Sequence, residues 1–147
     1  MKISRSALLA YSAQQMYKIV ADVQQYPDFL NWCDEVTVLD EQENTVTARM
    51  HIAYSKLNIR FTTRNQNTPT DSIAMSLVDG PFSNFDGLWQ FKQLGDSASK
   101  VSIEMNFNFD NSLAPNILGK VFEKVISMQL ESFQKRAQQL HGKSAQD

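Results

Sequence analysis

From Glu35 to Phe109 the chain reads as strand after strand, with apolar residues at every second position within each, and it then changes to a three- and four-residue period in a helix expected to run to about residue 141. Period two is a strand wetted on one face; the longer period is a helix with one apolar stripe. A half-apolar sheet has to cover its apolar face. The only segment long enough to do that is the C-terminal helix. The pattern therefore predicts an α+β fold, a curved and largely antiparallel sheet gripping one long helix, with room for a cavity between the two layers.

The strands can be followed one by one. Val36 and Val38 alternate with Thr37 and Leu39 ahead of a polar turn at 40–44. Val46, Ala48, Met50, Ile52 and Tyr54 share one face; Thr45, Thr47, Arg49 and His51 share the other. After a turn at Ser55-Lys56, Leu57, Ile59, Phe61 and Thr63 oppose Asn58, Arg60, Thr62 and Arg64, and a loop follows at 67–70. Ile73, Met75 and Leu77 come next, then the turn signal Asp79-Gly80-Pro81. Phe85, Gly87, Trp89 and Phe91 share a face, as do Val101, Ile103, Met105, Phe107 and Phe109. Short connections make neighbouring strands antiparallel.

Ahead of these lies a strand at 2–11, then a helix. Ser12 and Gln15 have the spacing of a capping box, and Met16, Ile19, Val20 and Val23 are its apolar side. Proline disfavours helical geometry in the residue before it, so Tyr26-Pro27 should end this helix. Pro27 should open a second short one, from Asp28 to Asn31. At the other end Pro115 suits a first helical turn, and Ile117, Leu118, Val121, Phe122, Val125, Met128, Ser132 and Phe133 form the stripe of a helix over about 115–141, roughly 40 Å long. Gly142 is its expected stop, with a frayed tail at 143–147.

Composition narrows the function. The chain has 147 residues, 42% hydrophobic and 20% charged, enough for one domain spanning 1–147 with a full core. A net charge of −2 gives no global basic field, which argues against DNA as a partner. The single cysteine, Cys33, fits a reducing compartment. No signal-like run opens the sequence and no stretch approaches the ~18 apolar residues of a membrane span. The expected location is cytoplasmic, with contact at the inner membrane peripheral at most.

Tyr26-Pro27-Asp28-Phe29-Leu30-Asn31-Trp32-Cys33 is similar to the motif Tyr-Pro-x-Phe-Leu-Pro-Trp-Cys of the coenzyme-Q-binding START-domain family, which includes bacterial proteins of the RatA type. Phe61-Thr62-Thr63-Arg64-Asn65 and Leu77-Val78-Asp79-Gly80-Pro81-Phe82 resemble two further signature stretches. Gly87-x-Trp89-x-Phe91 and Phe133-x-x-Arg136-Ala137 fit as well. The resemblance covers nearly the whole chain, with Asn31 in place of the more usual proline. It implies the START-like helix-grip fold. Family members are described as quinone-binding respiratory factors or as inhibitors of ribosomal subunit joining, and older labels call them oligoketide cyclases. The absence of a transit-like extension points to the bacterial branch.

Two candidate sites follow. The aromatic residues Tyr26, Phe29, Trp32, Phe61, Phe82, Phe85, Trp89, Phe91 and Phe107 are core material one by one. As a set, with Met75, Met105, Val121, Val125 and Met128, they suit the lining of an apolar pocket. With the resemblance, this lining implies ubiquinone or a related polyprenyl quinone as ligand, in support of respiration. The second site is polar. Arg49, Arg60 and Arg64 lie with His51 on the outer face of two adjacent strands, and a two-residue turn at Ser55-Lys56 would set His51 opposite Arg60. That face is either solvated or a patch for RNA phosphates or anionic lipid heads. The runner-up function is accordingly binding of the large ribosomal subunit with a block on subunit joining, and a lipid or polyketide cyclase comes third. Catalysis has little support: His51 points outward, His141 ends the last helix, and neither has a nucleophile partner in the sequence. No metal-ligand cluster is visible, and Cys33 reads as packing.

Overall fold

The computed structural model describes residues 1–110 and 116–142. The elements are β1 (Lys2–Leu9), α1 (Ala13–Ala21), a 3-10 turn (Val23–Gln25), α2 (Tyr26–Phe29), β2 (Cys33–Gln42), β3 (Thr45–Tyr54), β4 (Leu57–Thr68), β5 (Ser72–Asp79), β6 (Phe82–Leu94), β7 (Ala98–Phe109) and α3 (Asn116–His141). One seven-stranded sheet has the order β1-β7-β6-β5-β4-β3-β2. Every pairing in it is antiparallel. This is the expected α+β helix-grip.

Local chemistry explains the element ends. Ser12 caps α1: its hydroxyl accepts from the Gln15 amide at 3.1 Å, and the Gln15 side chain accepts from the Ser12 amide at 2.9 Å. Two amides that the helix cannot satisfy itself are thereby paired. Ser55 takes φ 56° in the two-residue turn joining β3 to β4, and His51 does face Arg60 across that hairpin. Gly80, at φ 148°, has no room for a side chain: a Cβ there would sit 2.5 Å from the Cβ of Phe61. At the far end Gly142, φ 77°, returns its amide to the Gln138 carbonyl at 2.8 Å, which stops α3. The Tyr11 hydroxyl donates to the Gly142 carbonyl at 2.7 Å and ties this helix end to the start of α1.

Several boundaries depart from the sequence reading. β1 ends at Leu9, and β2 and β4 run on through residues whose types suggest turns, to Gln42 and Thr68. In β4 the extension is held by pairing of Asn65, Asn67 and Thr68 with β5. α2 begins at Tyr26, so Pro27 sits inside its first turn, where a missing amide costs nothing. Pro115 and the tail at 143–147 lie outside the described residues.

The core lies between the sheet and α3, which packs on β1, β4, β7 and α1. Its buried stripe is Phe122, Val125, Ile126, Leu130, Phe133 and Ala137. Ile117, assigned to that stripe from the sequence, is 53% exposed. The stripe is rotated toward Ile126 and Leu130, which the sequence reading passed over. No described helix is long and apolar enough to cross a membrane.

Candidate functional site: a cavity under the helix and an arginine-bearing sheet face

The inward residues of β3 to β7 meet the stripe of α3 around a cavity. Ala48, Met50 and Ile52 come from β3; Phe61, Thr63 and Asn65 from β4; Met75 from β5; Phe85 and Trp89 from β6; Met105 from β7. Phe122, Val125, Ile126 and Gln129 of α3 form the opposite wall, with Val23 and Tyr26 closing one side. The free volume is about 50 Å³. Pockets that take drug-sized ligands span about 300–1,000 Å³, so a large ligand requires side chains to move. Met50, Met75 and Met105 are suited to that, each having three rotatable bonds. The Met75 methyl lies against Gly87, 2.5 Å from where a Cβ would project.

Of the residues named from the sequence as lining, Tyr26, Phe61, Met75, Phe85, Trp89, Met105 and Val125 border this cavity. Phe82 and Phe107 instead belong to an aromatic block with Phe61, Phe85, Phe109 and Phe122, where Phe107 meets Phe122 edge-on at 4.8 Å and Phe82 stacks on Phe109 at 4.9 Å. Phe91 stacks beside Trp89 and meets Tyr17 edge-on at 5.6 Å. Phe29 packs against Phe133 under the Arg136 guanidinium, 4.9 Å from its ring centre. Trp32 is buried, 1% exposed, away from the cavity. Val121 and Met128 are half-buried and border it nowhere.

Sequence reasoning missed Asn65 and Gln129. Both are polar in a position where the pattern calls for an apolar side chain: Asn65 continues the inward parity of Phe61 and Thr63, and Gln129 lies four residues from both Val125 and Phe133. The Thr63 hydroxyl donates to Asn65 Oδ1 at 2.9 Å. Gln129 Oε1 is buried and has no hydrogen-bond partner.

Burial favours the neutral forms of Tyr26 and Cys33. The Tyr26 hydroxyl donates to the Val20 carbonyl, and burial pushes its pKa well above the usual tyrosine value. Burial also pushes the Cys33 thiol up to about 12. A thiol whose folded pKa is raised contributes its stability in full below the unfolded value and loses it as pH rises through the folded one. Cys33 should therefore destabilise the protein between pH 9, its ordinary value, and about 12. Cys33→Ala is expected to flatten denaturant midpoints over that window. Native Cys33, 3% exposed, should stay unreactive to iodoacetamide at pH 8 until the chain unfolds.

The outer face of β2, β3 and β4 carries the second candidate site. Arg49, Arg60 and Arg64 are all exposed, and none has an ion pair among the described residues. The cross-strand rows that hold these arginines also contain acids: Glu35 faces His51 beside Arg60, Asp40 faces Thr47 beside Arg64, and Asp79 faces Thr62 beside Arg49. The guanidiniums are available to phosphates, but the face is mixed in sign. His51, read as an outward strand residue, is only 9% exposed, because Asp34 reaches its Nδ1 at 3.1 Å and Asn58 its Nε2 at 2.6 Å. Among the described residues no group of acidic, histidine and cysteine side chains could hold a metal ion.

Residues 9–134 match the family model described as polyketide cyclase / dehydrase and lipid transport. The chain belongs to that family. The chain is 41% identical over 140 residues to the ribosome association toxin RatA of Pseudomonas aeruginosa, covering 95% of this chain and 97% of the relative. It is 26% identical over 144 residues to a mitochondrial coenzyme Q-binding protein of Xenopus laevis, covering 95% of this chain and 59% of that one. An aromatase/cyclase crystal structure from a Streptomyces superposes with a TM-score of 0.83 over 94% of this chain and 93% of that one at 18% identity, a likeness of fold alone.

Proposed function

We propose that this protein associates with the large ribosomal subunit and hinders the joining of the two subunits. The observation that carries this reading is the end-to-end match to a ribosome association toxin, 41% identical over 95% of the chain. The aromatic lining taken together with the family resemblance favours a quinone carrier. The relative named for coenzyme Q is much more distant, at 26% identity, and supports that function less. Arg49, Arg60 and Arg64 are the proposed phosphate contacts, since a guanidinium pairs with two phosphate oxygens at once. Sedimentation of the purified protein with isolated subunits tests the proposal. It should travel with the large subunit and not with the small one; failure to travel with either would overturn it.

A second reading is supported by the cavity. An internal space lined by Phe61, Phe85, Trp89 and three methionines suits an apolar ligand. Ligand binding and ribosome association use opposite faces of the same sheet, so the two are compatible. A polyprenyl quinone remains a candidate ligand in this second reading.

A further inference from the structure

The side of the cavity formed by β4 and α3 is polar without being charged. On β4 the inward positions change from Leu57, Ile59 and Phe61 to Thr63 and Asn65, which are 8% and 7% exposed. On α3 the stripe is interrupted by Gln129, whose buried Oε1 is unpaired. An unpaired buried acceptor costs free energy that a methionine or leucine there would not. All three side chains line the same space.

We infer that this cavity selects an apolar molecule bearing a hydroxyl group, a phenol or long-chain alcohol, and that Gln129 and Asn65 hold that group. The inference rests on the reading that the cavity admits an apolar ligand. Asn65 Oδ1 already accepts from Thr63, which leaves the Asn65 amide hydrogens to donate. Gln129 Oε1 needs a donor. A hydroxyl does both at once, accepting from Asn65 and donating to Gln129. It also pairs with the Gln129 amide in either orientation. A quinone, ether or ester oxygen only accepts, so it pairs with Gln129 only after that amide turns its NH2 toward the ligand, whereas a hydroxyl pairs with the amide as it stands. A carboxylate is disfavoured, because no lysine, arginine or histidine lines the cavity to offset its lost hydration. Space for a ring comes from Met75, whose methyl end can swing off Gly87.

The test is calorimetric titration of the wild-type protein with para-hexylphenol, para-hexylanisole and hexylbenzene. The phenol should bind at least about tenfold more tightly than the other two, because only it pairs with both amides without turning Gln129. Gln129→Met should raise the thermal midpoint of the free protein and bring the three affinities together. Equal binding of all three by the wild type would overturn the inference and leave the ligand cavity standing. Binding of none would overturn the ligand cavity and the inference with it. A phenol preference that survives Gln129→Met would also overturn it. The three-probe comparison needs no variant, so it decides the matter even where Gln129→Met does not fold.

Discussion

Phe122→Ala is expected to lower the unfolding free energy by about 3–5 kcal/mol. Phe122 is 2% exposed on the inner face of α3. Its ring meets those of Phe107 at 4.8 Å, Phe82 at 5.6 Å, Phe109 at 5.8 Å and Phe61 at 6.3 Å. Those four come from three different strands, so one ring joins the helix to β4, β6 and β7. Truncation removes the apolar burial and leaves a space that four stiff rings cannot collapse into. The loss would be a large share of a stability of about 5–15 kcal/mol. Urea denaturation followed by circular dichroism measures it. Leu8→Ala, at a side chain 74% exposed on β1, is the control and should change stability by no more than about 0.5 kcal/mol. A Phe122→Ala loss as small as that of Leu8→Ala would mean that the aromatic block does not hold the helix.

The second large effect concerns the outer sheet face. Arg49→Glu, Arg60→Glu and Arg64→Glu combined should abolish large-subunit binding at moderate salt and leave the fold intact, since all three side chains are exposed and none has an ion pair among the described residues. Each phosphate contact contributes about one unit to the slope of log affinity against log salt concentration. Losing three should therefore reduce that slope by about three units. Because Glu35, Asp40 and Asp79 lie in the same rows, reversal makes the face strongly acidic. Repulsion from RNA then adds to the lost contacts. Binding with an unchanged salt slope would move the ribosomal contact elsewhere on the molecule.

The fold was legible because its signal is a change of period. Alternation in β3, β4, β6 and β7 fixed which residues face inward, and Ser12 with Gln15 marked the start of α1. The His51–Arg60 pairing could be read from the length of one turn. Bounds were harder, since strand pairing by residues such as Asn65 and Asn67 overrides the turn preference of their side chains. The site was half legible for a related reason. Parity gives the face of a residue and not its depth under the helix, so Phe107 shares the inward face of Met105 yet packs in the aromatic block. Asn65 and Gln129 were missed because polar side chains suggest solvent, although parity and stripe both place them inside. Nor could the sequence show that Asp34 and Asn58, from two other segments, would cover His51.

The most direct measurement is the fraction of joined ribosomes in a sucrose gradient after the purified protein is mixed with isolated small and large subunits. The account predicts that this fraction falls as protein is added and levels off when the large subunits are saturated, with the triple arginine variant having no effect. An unchanged fraction of joined ribosomes with the wild-type protein in excess over subunits would contradict it.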